Sequence, residues 1–326
     1  MRNDHWGALL AAAFLTFTPD LTSAQTRPPA QTRPLTIVVG NAPGNAIDLM
    51  SRLLAPEMSK ILGIPVIVEN KVGAQGLIAY SYVATVAPAD GRTILASSDV
   101  TAASYGVTVK DLQFDPVKDL PAIINLTTHG LDLVSSKVQP WQTFDEFAAY
   151  AKAHPGELNY SVSSPTNVLN MEYLFWKRGL KVERINYNST QQSMLDMIKG
   201  VTHVTILTDT DAVAQKEQIN VLAQTGSSRN PAFPNAPTFA EIGVPQLSNS
   251  NFTFVARSGT PPDEIAKIYR AASEVVNSPE VKEKLAKMHM EVAPLDEQSG
   301  AWEDKHLAEV AEYDREAARQ AHIEPQ

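Results

Sequence analysis

The feature of this sequence that most limits its possible folds is a repeated alternation between short β-branched runs and segments with helical spacing. Leu35–Val39 (LTIVV) is a continuous apolar run, suited to a strand buried on both faces. Ile47–Ile61 carries apolar residues at helical intervals, and Gly63 is placed to end that helix. The alternation continues as strand Ile64–Glu69, helix Gly76–Val86 and strand Thr93–Ala96. This order, with connections long enough for crossovers, predicts a parallel sheet covered by helices.

A second alternation begins near residue 143. Thr143 and Glu146 have capping-box spacing at the start of a predicted helix over Thr143–Ala153. The predicted strands that follow are Leu158–Val162, Val182–Tyr187, His203–Leu207 and Ile219–Ala223, and the predicted helices between them are Asn167–Lys177 and Gln191–Ile198. The pattern predicts a second α/β domain.

The last part of the chain supplies one more strand and three helices. Asn251–Ala256 is the strand, and an amphipathic helix starts at Thr260 with prolines in its first turn. Another helix starts at Ser278, and Ser299–Ile323 is a long charged helix. No internal repeat indicates a solenoid.

These elements predict two lobes whose chain ends both lie in the first. Two crossovers are then needed, with Leu120–Val134 and Ser248–Val255 as candidates. We expect lobe 1 to comprise 35–125 plus 252–326 and lobe 2 to comprise 126–251, with a hinge and a ligand cleft between them.

The N-terminus has the pattern of a secretory signal. A thin positive start precedes the apolar run Gly7–Phe17, and Thr22-Ser23-Ala24 offers small residues before a cut near Ala24-Gln25. Residues 1–24 are therefore the predicted signal peptide and 25–34 a proline-rich flexible tether. The prediction is a periplasmic protein; secretion to the medium and an uncleaved cytosolic N-terminus are the alternatives.

Composition excludes several classes of function. The chain has no cysteine, so thiol nucleophiles, iron–sulfur clusters and disulfides are excluded. Its formal net charge of −9 makes nucleic acid an unsuitable partner. The seven histidines are scattered, never at metal-ligand spacing. After the leader, no run of about 18 apolar residues predicts a membrane span.

Catalytic signatures are absent as well. The sequence contains no G-x-S-x-G, no G-x-x-x-x-G-K-[ST] and no H-E-x-x-H, and Gly40–Asn45 lacks the dinucleotide spacing. Ser97, Ser98 and Ser163 have no adjacent His–Asp pattern. We therefore predict no enzyme activity, no metal and no cofactor.

Four polar loops follow predicted strands in both lobes. They are rich in Ser, Thr, Asn and Gly, and they are Asn41–Asp48, Ser97–Thr101, Ser163–Asn167 and Tyr187–Thr190. Ligands of α/β proteins gather at such strand ends, where helix N-termini present free N–H groups to anions. Ordinary helix capping by Asn45, Ser164 and Thr190 is the alternative interpretation.

Several ordered stretches resemble the Bug-type solute receptors, the extracytoplasmic binding proteins of tripartite tricarboxylate transporters. The matching segments are 33–39 leading into Ala42-Pro43-Gly44 and Asp48, then Pro65–Asn70 with Gly73, Ala74 and Gly76, then Ala87–Gly91, Arg229–Pro245, Gly259–Pro261 and Pro279–Lys282. The resemblance runs from about residue 33 to the C-terminus and implies an α/β, two-lobe Venus-flytrap fold with a mainly parallel sheet in each lobe.

The departures from the family pattern gather at the predicted cleft. Asn45 replaces the second glycine of the first loop, Lys71-Val72 stands where Arg-Pro is usual, and Gln75 replaces a glycine. In lobe 2, the family's histidine is missing from Ser163–Asn167, and the acidic loop Thr208–Asp211 is offset from the family's ligand-side aspartate.

The resemblance implies a periplasmic receptor that captures a small carboxylate for a membrane transporter. Backbone N–H groups of Ala42–Asp48 would hold one carboxylate, while Asp48 either joins them or braces its own helix. Lobe-2 loops would contact the far end of the ligand. The candidate ligand-binding residues are Ala42, Pro43, Gly44, Asn45, Asp48, Ser98, Asp99, Ser163, Ser164, Thr166, Asn167, Tyr187, Asn188 and Asp209.

The partners expected are a small carboxylate and the membrane transporter subunits, with no nucleic acid, and the protein is expected to be a monomer. Organic, aromatic and amino-acid carboxylates all stay open. A receptor that signals to a membrane sensor and a periplasmic hydrolase are the alternative functions.

Overall fold

The structure is a computed structural model that describes residues 33–226, 228–244, 247 and 249–325. The predicted signal peptide and residues 25–32 of the predicted tether lie outside the described residues. The strands are β1 Leu35–Val39, β2 Val66–Asn70, β3 Thr93–Ser98, β4 Ala122–His129, β5 Leu131–Ser136, β6 Asn159–Val162, β7 Glu183–Asn186, β8 Val204–Thr208, β9 Ile219–Gln224, β10 Ser250–Ala256 and β11 Glu291–Val292.

The helices alternate with these strands. They are α1 Ala46–Leu62, α2 Leu77–Ser81, α3 Asp99–Thr108, α4 Phe144–Ala153, α5 Pro165–Arg178, α6 Thr190–Ile198, α7 Asp209–Ala214, α8 Pro262–Val276, α9 Pro279–Lys287 and α10 Gly300–Gln320. A 3-10 turn, Ala74–Gly76, precedes α2, and a π-helical turn, Tyr82–Val86, follows it.

Two sheets divide these elements into two lobes, as the sequence predicts. One sheet has the strand order β11-β4-β10-β3-β1-β2, and the other has the order β7-β6-β8-β5-β9. Helices flank both sheets, so the α/β class is confirmed. Both sheets are mixed, however, whereas the sequence pattern and the family resemblance predict mainly parallel sheets. β1 is parallel to β2 and β3, and β6 is parallel to β7 and β8, but β10 and β5 pair antiparallel with both of their neighbours.

Local sequence signals set the ends of several elements. Gly63 ends α1 in the left-handed conformation at φ 66°, which glycine adopts without a Cβ penalty. Thr143 and Glu146 form both hydrogen bonds of the capping box at the start of α4. Pro262 occupies the first turn of α8. These predictions from the sequence are confirmed.

The segment Leu120–Val134, predicted as a crossover between the lobes, contains strands as well: its apolar residues form β4 and the start of β5, separated only by Gly130. β4 belongs to the first sheet and β5 to the second, so the chain passes between the sheets at this glycine. Ser97–Thr101 and Thr208–Asp211 were expected to be loops, yet helices begin at Asp99 and Asp209, since Ser98 and Thr208 end their strands and stand in the N-cap position.

The C-terminal helix packs against both lobes. Leu307 and Ala311 of α10 lie in a core cluster with residues of the first sheet, such as Leu95. Ala317 and Ala318, near the end of the same helix, lie in the core cluster of the second lobe. Helix α10 therefore bridges the lobes alongside α3 and α5. No helix in the described part of the chain has the length and apolar character of a membrane span.

Candidate functional site

A cavity of about 90 Å³ lies between the two lobes. Lobe 1 lines it from β3, β10 and the starts of α1 and α3, and lobe 2 lines it from the starts of α5, α6 and α7. The lining includes five of the predicted site residues: Asn45, Ser98, Ser164, Thr166 and Asn167. The cavity lies where the lobes would close on a ligand.

Asn45 and Asp48 organise the lobe-1 end of the cavity. Asn45 is the N-cap of α1, and its Oδ1 accepts a hydrogen bond from the Ile47 amide at 3.0 Å. Asp48 is buried and accepts hydrogen bonds from the Gly44 amide at 2.8 Å, from Arg52 and from Asn70 Nδ2 at 2.8 Å.

These contacts decide the charge of Asp48. Burial acts to raise its pKa, but the hydrogen bonds from Arg52, Gly44 and Asn70 outweigh burial and lower the pKa below its ordinary value. Asp48 therefore braces its own loop, and it does not line the cavity; nor do Ala42, Pro43 and Gly44.

Ser98 and Asp99 diverge at the end of β3. Ser98 lines the cavity and shares a hydrogen bond of 2.9 Å with the Ser250 hydroxyl. The Asp99 carboxylate turns into the protein, where it accepts a hydrogen bond from the Asn251 amide at 2.8 Å and lies 3.2 Å from Nε2 of His306. The hydrogen bond to Asp99 raises the pKa of His306. Asp99 thus joins β10 and α10 behind the cavity.

The start of α5 forms the facing wall in lobe 2. Ser164 caps α5 by accepting a hydrogen bond from the Asn167 amide at 3.2 Å, and Asn167 Nδ2 donates to the Ile206 carbonyl. Thr166 reaches across the cleft, and its hydroxyl lies 3.1 Å from that of Thr101 in α3. This pair joins the two lobes directly.

The lobe-2 residues Ser163, Tyr187 and Asn188, also predicted as ligand contacts, do not line the cavity. Ser163 shares a hydrogen bond with Thr190 at 3.0 Å, and Tyr187 donates its hydroxyl proton to Asp196 at 2.9 Å. Asn188 belongs to the same loop but is not part of the lining. Thr190, at the start of α6, does line the cavity.

Asp209 contacts the interlobe crossover. Its amide donates to the Gly130 carbonyl at 3.1 Å, and its Oδ2 accepts from the Gly130 amide at 3.1 Å. Burial, and then the neighbouring Asp209 carboxylate, raise the pKa of Asp132 in β5 well above its usual range. The next residue, Thr210, donates to the Met288 carbonyl in lobe 1. The start of α7 therefore contacts the segment where the chain crosses between the lobes, and Asp211, two residues further along, lines the cavity.

Several lining residues are not among the predicted ligand contacts: Gln75, Tyr80, Tyr105, His129, Asp211, Ser250 and Phe252. The Tyr80 hydroxyl lies 3.0 Å from that of Ser97, the Tyr105 hydroxyl donates to the Gln75 carbonyl, and the two rings meet edge to face at 5.0 Å. Tyr80 and Tyr105 come from helices and Phe252 from within β10, where no strand-end pattern marks them. Asp211 had such a signal, because it belongs to the acidic loop noted in the sequence.

The cavity carries no formal positive charge at neutral pH. Neither Lys nor Arg is among its lining residues. Burial raises the pKa of Tyr80 to about 12 and lowers that of His129 to about 4, so both side chains are neutral. In the described ranges, no group of three His, Asp or Glu residues is arranged to hold a metal ion. An anion in this cavity would be bound by N–H and O–H dipoles.

Comparison with known proteins gives a consistent result. The sequence model of the TctC family, described as the tripartite tricarboxylate transporter family receptor, matches residues 50–307. A "UPF0065 protein in gbd 5'region" of Cupriavidus necator is 39% identical over 264 residues, which cover 79% of each chain. Protein BugT of Bordetella pertussis is 30% identical, over 81% of this chain and 82% of its own.

Solved structures share the fold. A Rhodopseudomonas palustris protein, Rpa4515, with adipate superposes with a TM-score of 0.82 and 27% identity, covering 90% of this chain and 99% of its own. MatC from the same organism, with bound malate, has a TM-score of 0.82 and 24% identity over 87% of this chain and 98% of its own. The periplasmic binding protein BugD has a TM-score of 0.82 and 23% identity over 90% of this chain and 99% of its own.

Proposed function

Because this chain belongs to the TctC, or Bug, family of solute receptors, we propose that it is an exported periplasmic receptor that binds a small carboxylate between its lobes and delivers it to a tripartite membrane transporter. Members of the family are substrate-binding receptors rather than enzymes. The observation that carries the proposal is the interlobe cavity, lined by helix N-termini from both lobes and without Lys or Arg. The neighbour bound to adipate supports a carboxylate ligand.

The binding mode follows from the lining. Asn45 stands at the N-terminus of α1, where the helix dipole favours an anion. Ser98 and Ser250 add hydroxyls beside it, and Ser164 and Thr190 face it from lobe 2. A ligand that contacts both sets stabilises the closed arrangement, because its affinity differs between the open and closed states. Within Ala42–Asp48, the predicted carboxylate-binding segment, the residues that line the cavity are Asn45 and Ile47, and the proposal places the carboxylate against these two.

A thermal-shift screen of the purified mature protein against a library of carboxylates tests the proposal. A ligand present at 100 times its dissociation constant adds about 2.7 kcal/mol to the free energy of unfolding. The ligand found is then titrated by calorimetry into wild type and into Asn45→Asp. Aspartate is as good an N-cap as asparagine, so the helix is preserved while an added negative charge repels a bound carboxylate.

Ser278→Asp is the matched control. Ser278 caps α9 with the same kind of hydrogen bond, from the Val281 amide, and is not part of the cavity lining. We expect Asn45→Asp to lose binding at an unchanged melting temperature and Ser278→Asp to bind like wild type. If no acid stabilises the protein, or if Asn45→Asp binds as tightly as wild type, the proposal is wrong.

Export has its own test. We propose that residues 1–24 are removed, so that the protein recovered from the periplasm begins near Gln25. Intact-mass measurement decides this: a functional protein that retains Met1 contradicts export by signal-peptide cleavage.

A further inference from the structure

The charge distribution of the cavity is unequal between its two ends. Asp211, in the first turn of α7, is the acidic residue of the lining, and no basic side chain lines the cavity beside it. The helix N-termini of α5, α6 and α7 border the same end through Ser164, Thr190 and Thr208. The Asp211 carboxylate therefore already supplies the negative charge that these N-termini favour.

The hydrogen bonds of Asp211 leave part of its carboxylate available. Oδ2 accepts a hydrogen bond from the Thr208 hydroxyl at 3.0 Å, and the Asp211 amide donates to the same hydroxyl at 3.3 Å. In the part of the chain that the structure describes, Oδ1 has no hydrogen-bond partner and no Lys, Arg or His lies within ion-pair distance. Burial raises the pKa of this carboxyl above its ordinary value, which is the expected result of desolvation without a cationic partner.

From this arrangement we infer that the receptor selects carboxylates that carry a hydroxyl or ammonium donor at the end opposite the carboxylate, with Asp211 as the residue that accepts from that donor. The inference rests on the proposed function. A donor would satisfy Oδ1 and an ammonium would also neutralise the charge of Asp211. A second carboxylate at this end would meet a like charge in a poorly solvated site, so fully ionised dicarboxylates are disfavoured.

Two matched ligand series test the inference by calorimetry. Butyrate, 4-hydroxybutyrate, 4-aminobutyrate and succinate differ only in the distal group, and hexanoate, 6-hydroxyhexanoate, 6-aminohexanoate and adipate repeat the comparison at a longer spacing. In the series that the cavity accommodates, the hydroxy or amino acid should bind at least about tenfold more tightly than the unsubstituted acid and the dicarboxylate.

Asp211→Asn shows whether Asp211 makes the selection. We expect this variant to lose about tenfold in affinity for the amino acid and to gain affinity for the dicarboxylate, since the like charge is removed. Asp263→Asn removes the same charge from the exposed start of α8 and should leave the order of affinities unchanged. Circular dichroism of the ligand-free variants checks that they fold. Asp211→Ser repeats the binding test with a short, uncharged polar side chain, which is tolerated in the first turn of a helix.

The outcomes separate the inference from the proposed function. If wild type prefers the dicarboxylate, or if Asp211→Asn keeps the wild-type order of affinities, the inference is wrong while the receptor function stands. If no carboxylate of the library or of either series binds, the proposed function is wrong and the inference falls with it.

Discussion

Each lobe places an aspartate in the first turn of a helix that follows a strand, and the two aspartates have opposite environments. Asp48 in α1 accepts hydrogen bonds from Gly44, Arg52 and Asn70, and together these partners hold its pKa low. Asp211 in α7 has the Thr208 hydroxyl as its partner, faces the cavity and has a raised pKa. The comparison shows that the pKa of an aspartate in this position is set by the partners that the fold brings to it.

The largest effect should come from removing the paired aspartate. Asp48→Ala leaves the Gly44 amide and the Arg52 and Asn70 side chains without their shared acceptor, so the free energy of unfolding should fall by about 2–3 kcal/mol. Asp211→Ala, which removes a single hydroxyl contact, should cost less than about 1 kcal/mol. Urea denaturation of the empty proteins measures both, and equal losses would contradict the contrast.

The pH dependence of stability should have opposite signs at the two sites. The lowered pKa of Asp48 contributes stability above the ordinary carboxyl pKa that is lost as the pH falls through the folded-state value. The raised pKa of Asp211 makes its ionisation unfavourable to folding, so stability falls as the pH rises from the ordinary value through the folded-state value.

Asparagine variants measure these signs while they keep the side-chain shape. Relative to wild type, Asp48→Asn should lose stability as the pH rises from below 3.8 towards neutrality, whereas Asp211→Asn should gain it. Denaturation curves at a series of pH values provide the test. A change of the same sign in both variants would show that the two carboxyls do not differ in the stated way.

Helix caps should behave alike in the two lobes, which sharpens the contrast between the aspartates. Asn45 caps α1 and Ser164 caps α5 through side-chain hydrogen bonds to amides. Asn45→Ala and Ser164→Ala should each lower the free energy of unfolding by about 1 kcal/mol. Ser299→Ala, at the α10 cap far along the chain, is the control for cap loss without a cavity position.

The smallest effect should come from the hydroxyl contact that joins the two lobes. Thr101→Val and Thr166→Val each remove one hydroxyl of the pair that spans the cleft. Each variant should weaken ligand binding by about 0.5–1 kcal/mol, because a partly solvated hydroxyl pair contributes little. The double variant should lose no more binding free energy than either single variant, because both changes remove the same hydrogen bond. Additive losses in calorimetry would show that the two hydroxyls act separately.

Much of the fold could be predicted from the sequence because the signals are local. The LTIVV run, Gly63 and the Thr143–Glu146 pair act within a few residues, and each element they predict is present. The antiparallel strands of the mixed sheets could not be predicted from such local signals. Strand β10 enters between β3 and β4 from more than 120 residues further along the chain, and its direction depends on where the chain returns from lobe 2.

From the sequence, the candidate site could be predicted only for residues in the loops that follow strands. Ser98, Ser164 and Thr166 lie in predicted loops and line the cavity, whereas Tyr80 and Phe252 reach it from a helix and a strand with no distinguishing pattern.

The sequence by itself determined the alternation of strands and helices, the helix ends, the lack of thiol chemistry and the family. Tertiary structure decided which polar groups meet: Asp48 meets Asn70 22 residues away, Thr101 meets Thr166 across 65 residues, and Ser98 meets Ser250 across 152. The physical reason is that helix and strand periodicity depends on neighbouring residues, whereas the pKa of a carboxyl and the contents of a cleft depend on groups brought together by sheet order and lobe packing.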